Sequence, residues 1–152
     1  LLLAQSDRPV TERSYVDLAD IAAHVAPDAK LTLAEAPAMG DPVLLERLVQ
    51  NLVENGRRHN VPDGWVGVRT GAWQAAVFVE VSNSGPQIPP YEVPALFEPF
   101  HRLGGDRVSG SAGAGLGLSI VRAVAQAHGG SVRAEARAEG GLIVTVTLPR
   151  AR

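Results

Sequence analysis

The chain has 152 residues, 45% of them hydrophobic and 20% charged, with a formal net charge of −2 and no cysteine. That length suits one domain with a real core, the composition is globular, and the near-neutral charge gives no electrostatic case for nucleic acid or an anionic membrane. Disulfides and thiolate metal sites are excluded, no apolar run reaches the roughly 18–20 residues that span a bilayer, and no signal-peptide pattern is present.

Leu1–Ser6 is apolar and helix-compatible and reads as the end of a helix from an upstream segment. Asp7–Ser14, with Pro9, reads as a linker. The chain begins at Leu1 and its only methionine is Met39, so it reads as a piece of a longer protein. Val16–Ala26 has apolar residues at helical spacing, with Asp17 as N-cap and Pro27 as the stop. Lys30–Ala34 alternates as a strand and Glu35–Gly40 reads as a loop. Asp41-Pro42 then opens a helix, an N-cap Asp followed by Pro at the first helical position.

That helix, Pro42–Asn60, organises the reading. Leu44, Leu45, Leu48, Val49, Leu52 and Val53 share one face, and Glu46, Arg47, Gln50, Glu54 and Arg57 share the opposite one. Asn51 and Asn55 stack one turn apart on the border, with Arg58 near the same edge. Taken alone, two edge asparagines are most simply solvated surface.

Val61–Gly64 is a turn, and Trp65–Thr70 and Ala75–Val81 pair as strands across Gly71–Gln74. Ser82–Pro90 is too rich in Ser, Pro and Gly to be regular, and Glu92–Phe97 is a short helix. Glu98–Ala114 is glycine-rich without apolar periodicity and reads as a mobile loop. Leu116–His128 is a second amphipathic helix, with Leu116, Ile120, Val121, Val124 and Ala127 inward and Gly129-Gly130 as its stop. Ser131–Ala136 and Leu142–Leu148 form a hairpin around Glu139–Gly141. The fold class predicted is an α/β (α+β) two-layer sandwich, a mixed, mostly antiparallel sheet with helices on one face.

Three further segments carry chemistry. Gly113–Leu118 (GAGLGL) precedes an amphipathic helix, and glycines at a helix N-terminus suit a phosphate; a flexible loop with a glycine cap is the plain alternative. A Walker A loop needs a lysine after its glycines, yet the only lysine is Lys30. A dinucleotide fingerprint needs a strand just before them, where this chain has loop. Val81–Pro89 places Asn83 at a strand end, where an amide can pair with an adenine edge or simply start a turn. In Leu96–Arg102, Phe97 and Phe100 anchor the loop and Arg102 either reaches a terminal phosphate or stays solvated.

Taken in chain order, the four segments resemble the catalytic ATP-binding domain of bacterial two-component sensor histidine kinases, within the superfamily shared with gyrase, the HSP90 chaperone and MutL. Asn51–Asn60 is similar to the family's asparagine box, Asn83–Ile88 to its first glycine box, Phe97–Phe100 to its phenylalanine box and Gly113–Leu118 to its second glycine box. The resemblance covers about residues 15–149. It implies a Bergerat-type ATP-binding fold over 15–152, with a lid at about 98–114 and residues 1–14 as the end of a dimerisation helix and a linker.

The resemblance also implies roles. Asn55 would ligate Mg²⁺ through its amide oxygen, Asn51 would position metal and phosphates, and Arg58 would contact phosphate. His59 would sit by the nucleotide, and Asn83 would read adenine in place of the usual aspartate. Gly85, Gly113, Gly115 and Gly117 would let backbone lie against ATP, with Ile88, Phe100, Arg102, Leu116 and Leu118 completing the nucleotide-binding set. In ATP-hydrolysing relatives the position of Asn51 is a glutamate that activates water. An amide cannot be a general base, which suits transfer to a protein histidine, already a nucleophile.

His24, His59, His101 and His128 do not match the family's acceptor motif, so the phosphoacceptor is expected upstream; His24 and His128 read as helix-edge residues. The resemblance implies a dimerisation and phosphoacceptor domain of the same protein and a response regulator as partners. It further implies a cytoplasmic domain of a membrane-anchored, homodimeric sensor, with this fragment monomeric. Four departures from the family pattern open an alternative, a degenerate nucleotide-binding or interaction module. Asn83 replaces Asp, Gln87 stands at a usual glycine and is expected to crowd the pocket, Gly56 stands at a usual alanine, and Leu142 lacks a usual hydroxyl.

Overall fold

The computed structural model describes residues 13–98 and 117–152. The stretches read as an upstream helix end and most of the linker, and the lid from residue 99 on, lie outside them.

The chain opens with β1 (Ser14–Asp17), which pairs antiparallel with β3 (Pro37–Gly40) as a small two-stranded sheet. Between them run α1 (Leu18–Val25) and β2 (Lys30–Leu33). Asp17 caps α1 as expected, Oδ1 accepting from Ala19 N at 2.9 Å, and the same oxygen accepts from Ala36 N at 2.9 Å, tying β3's approach to the helix start. Helix α2 (Pro42–Arg58) leads to β4 (Val66–Trp73) and β5 (Ala76–Asn83). Two 3₁₀ turns follow at Pro90–Glu92 and Pro94–Phe97. Helix α3 (Gly117–Ala127), β6 (Ser131–Ala136) and β7 (Leu142–Pro149) close the chain.

The main sheet has five strands in the order β2-β4-β5-β7-β6, with β2 parallel to β4 and every other pair antiparallel. Alternation assigns its faces. Val77, Val79, Val81 and Asn83 of β5 are buried under the helices, while Phe78, Glu80 and Ser82 face the open side. Leu142, Val144, Val146 and Leu148 of β7 join the same core, met by Leu45, Leu48, Val49, Leu52 and Val53 from α2 and Ile120, Val121 and Val124 from α3. The two-layer architecture matches the predicted class.

Several boundaries differ. Glu35–Gly40, read as loop, contains β3, and β1 takes residues assigned to the linker and the first helix. Both strands are four residues long and pair only with each other across an intervening helix and strand, so no local pattern announces them. The β4–β5 hairpin runs beyond Gly71 to a turn of Gln74 and Ala75 alone, with Gln74 at φ 56°. Gly71 is a strand residue opposite Phe78, whose ring lies 2.9 Å from where a Cβ would sit. The short helix expected over Glu92–Phe97 is two 3₁₀ turns; Pro94 lacks the N–H to continue a helix across them. Ala127 is half-buried, whereas Leu118, Ser119 and Ala125 face in. His128, read as a helix edge, is 3% exposed.

Candidate functional site

The site is built on the second half of α2. Asp41 caps the helix as the sequence indicated, accepting from Val43 N at 2.9 Å and Leu44 N at 3.3 Å, with Pro42 in the first turn. Six buried positions along α2, Leu45, Leu48, Val49, Leu52, Val53 and Gly56, fix its rotation against the sheet. That rotation leaves Asn51 and Asn55 half-buried on the margin, and neither side-chain amide has a hydrogen-bond partner among the described residues. Arg57 turns away to an ion pair with Asp28 at 2.8 Å, while Arg58 is exposed with no ion pair among the described residues. His59 closes the helix, its N–H donating to Asn55 O at 3.2 Å. Burial first, and the Arg58 charge second, lower its pKa from the ordinary 6.5, so the ring is neutral near pH 7.

Two glycine-bearing segments meet this helix, and a third backs one of them. The start of α3 lies beside Asn51, with the Cβ position of Gly117 at 3.9 Å from Asn51 O. Gly85, after β5, presses on the end of α2, where a Cβ would sit 2.7 Å from His59 O. The β6–β7 turn backs that segment: Gly141 N donates to Pro86 O at 3.0 Å, and Gly140 and Gly141 hold φ of 108° and 91°, accessible mainly to glycine. The asparagine helix, the first glycine segment and the helix after the second are therefore brought together. Ile88 and Leu118 face the core, 7% and 4% exposed, and hold their segments in place. Phe97 is buried, with the Arg122 guanidinium 5.8 Å from its ring centroid. Phe100, Arg102, Gly113, Gly115 and Leu116 lie outside the described residues.

Gln87, expected to crowd the pocket, has its side chain engaged elsewhere. Its side chain is exposed and donates to Ala138 O at 2.9 Å, stapling the first glycine segment to the β6–β7 turn. Gly56 packs under Asn83, whose Cβ lies 3.4 Å from where an alanine methyl would sit.

Sequence reasoning missed a polar knot beneath Gly85. Ser84 Oγ donates to Asn60 Oδ1 at 2.6 Å and accepts from Trp65 N at 2.7 Å, and Asn60 Nδ2 donates to Trp65 O at 2.9 Å. These bonds join the end of α2, the start of β4 and the end of β5. Gly64 is part of the knot, since a Cβ there would coincide with Asn60 Oδ1. The Pro-Asp-Gly turn after Asn60 was the one available signal.

Among the described residues no group of three or more His, Cys, Asp or Glu is placed to hold a metal. Among the described residues the hard donors on the margin are the amide oxygens of Asn51 and Asn55, and so sparse a set suits an ion such as Mg²⁺ that keeps most of its ligands as water and phosphate.

Residues 40–152 match the family of histidine kinase-, DNA gyrase B-, and HSP90-like ATPases. The chain belongs to this family. Within it, the domain is similar to sensor kinases. It is 46% identical over 161 residues to the sensor protein CutS of Streptomyces coelicolor, covering 98% of this chain and 39% of that protein. It is 33% identical over 162 residues to the sensor histidine kinase CusS of Escherichia coli, covering 98% of this chain and 34% of that protein. The mycobacterial sensor histidine kinase MprB superposes with a TM-score of 0.78 at 28% identity, covering 91% of this chain and all of that one. The domain is thus an ATP-binding catalytic domain of the sensor histidine kinase type, and it spans well under half the length of these curated relatives.

Proposed function

We propose that this domain binds ATP with Mg²⁺ and transfers the γ-phosphate to a histidine on a separate dimerisation domain of its parent protein, for relay to a response regulator. The observation that carries the reading is the α2 margin: Asn51 and Asn55, one turn apart, have side-chain amides without a partner among the described residues, and the backbone of Asn51 lies beside the start of α3 at Gly117. Asn55 offers its amide oxygen to Mg²⁺, which when bound neutralises phosphate charge. Asn51 positions the phosphates beside the N-terminal end of α3, where the positive end of the helix dipole favours anions. Arg58, exposed and unpaired among the described residues, adds a positive charge for phosphate. The neutral ring of His59 borders the nucleotide, and Gly85 and Gly117 let backbone approach it. Phe100, Arg102, Gly113, Gly115 and Leu116 complete the binding set by resemblance.

Asn51 cannot take a proton near neutral pH, so the domain supplies orientation and charge rather than base catalysis. The nucleophile is the acceptor imidazole, which attacks the γ-phosphorus as the bond to the ADP oxygen breaks. We further assign the domain to the cytoplasmic side of a membrane-anchored, homodimeric parent, with the excised domain monomeric.

Asn55→Ala tests the assignment. Phosphotransfer to a supplied acceptor domain should fall by at least a hundredfold while the melting temperature stays within about 2 °C of wild type. Unchanged Mg²⁺-dependent transfer would remove Asn55 from the metal role.

A further inference from the structure

Asn83 presents an anomaly. It is 3% exposed at the end of β5, its Nδ2 donates to Ser84 O at 2.7 Å, and its Oδ1 has no hydrogen-bond partner among the described residues. A carbonyl oxygen only accepts, so the group facing Ser84 O is the NH₂ end of the amide, and Oδ1 points the other way. A buried acceptor left unmade is costly. No described residue offers to satisfy it. Leu142, opposite Asn83 in the β5–β7 register and 3% exposed, has no hydroxyl to donate. Space beside the amide is kept open by Gly85, whose Cβ would lie 3.3 Å from Asn83 Nδ2, and by Gly56 beneath.

The Ser84 carbonyl is itself held. Ser84 N donates to Trp65 O at 3.1 Å, and Ser84 Oγ is clamped between Asn60 Oδ1 and Trp65 N. Rotating the Asn83 amide by half a turn would break the 2.7 Å bond and set two acceptors against each other.

A free amide is a two-faced reader. With its oxygen toward the base it accepts from the 6-amino group of adenine, and its second N–H can meet the ring nitrogen beside that group. Flipped, it would pair equally well with a 6-oxo purine, which presents an acceptor and a ring N–H in the same places. A carboxylate has no such ambiguity, because both of its oxygens reject a 6-oxo group.

We infer that Ser84 is the specificity-positioning residue of this site: its clamped carbonyl locks the Asn83 amide with Oδ1 toward the base, so that a neutral amide selects 6-aminopurine over 6-oxopurine nucleotides. The inference rests on the nucleotide-binding reading above. Asn83 is the reader, Ser84 acts through it, and the Asn60–Trp65 knot keeps the lock rigid.

The test compares Mg·ATP with Mg·inosine triphosphate, titrated calorimetrically into the intact wild-type chain, Ser84→Ala and Asn83→Ala, with thermal melts alongside. The two nucleotides share their triphosphate and differ at the purine edge. Wild type should prefer ATP by about ten- to a hundredfold. Ser84→Ala should lower that ratio several-fold while still binding both nucleotides, and Asn83→Ala should bring it close to one. A merely structural role for Ser84 would weaken both nucleotides together and leave the ratio unchanged, which would overturn the lock. Equal wild-type affinities would overturn it without any variant, leaving the nucleotide site standing. Binding of neither nucleotide at millimolar concentration would overturn the nucleotide reading itself, and the lock with it.

Discussion

The imidazole of His128, just past the end of α3, accepts a hydrogen bond from the backbone N–H of Asp41, the N-cap of α2, at 3.1 Å. Its other nitrogen, Nδ1, lies 2.8 Å from Val124 O and must donate to it, so the ring is the neutral Nδ1–H form. Protonation would turn Nε2 toward an N–H as a second donor. Burial, first, and the Arg13 charge lower the His128 pKa from the ordinary 6.5, while the Val124 bond and Asp41 raise it, with burial prevailing.

Stability should therefore depend on pH with a definite sign. Where a histidine's folded pKa lies below its unfolded one, the unfolded chain binds more protons in acid, so stability rises with pH across that window. The contribution of His128 is present in full above the unfolded value near 6.5 and is lost as pH falls from there through the folded value. His59, also lowered by burial, acts in the same direction. Urea midpoints should be flat from about pH 7 to 8 and decline below about 6.5. His128→Gln should be less stable at pH 7 and show a shallower acid decline; an unaltered slope would mean that His128 does not carry the effect.

Two glycines of α2 and its approach should respond oppositely to alanine. At Gly40 an added Cβ would lie 2.5 Å from His128 Cδ2 and 2.8 Å from Leu45 Cδ1, so Gly40→Ala should displace the His128 ring and cost about 1–3 kcal/mol. At Gly56 the nearest atoms are at ordinary contact distance, 3.4 Å or more, and the backbone is helical, so Gly56→Ala should gain up to about 1 kcal/mol. Chemical denaturation of both variants checks the pair.

Gln87→Gly restores the residue usual in the family at that position. Because the side chain is exposed and bonded to Ala138 O, the change should leave ATP affinity within about threefold of wild type and cost at most about 1 kcal/mol of stability. A large gain in affinity on calorimetric titration would mean that Gln87 obstructs the nucleotide after all.

Asn51→Glu places a proton-accepting carboxylate on the α2 margin. If Asn51 faces the γ-phosphate, this variant should hydrolyse ATP without an acceptor domain at a rate above wild type. Phosphate release by the isolated domain, equal in the two proteins, would place Asn51 away from the transferred group.

How much was legible in the chain depended on the range of each contact. The rotation of α2, its Asp41 cap, the presence of strands β5 and β7 and the glycine stop after α3 follow from periodicity and local chemistry, and the structure agrees with each. The β1–β3 pair escaped because two four-residue strands recognise each other only across α1 and β2. His128 escaped because a helix-edge position gives no sign that another helix's N-cap will meet it.

The sequence by itself determined the family and the edge of α2 that carries Asn51 and Asn55, because four ordered segments and a 3.6-residue period are written in local order. Only the tertiary structure decided what the departures from the family pattern do. Gln87 turns outward because Ala138, fifty-one residues away, offers a carbonyl. Asn83 acquires a fixed orientation because Asn60 and Trp65 hold Ser84 in place. Such directional bonds between distant segments leave no periodic trace, and they exist only once the sheet has brought the segments together.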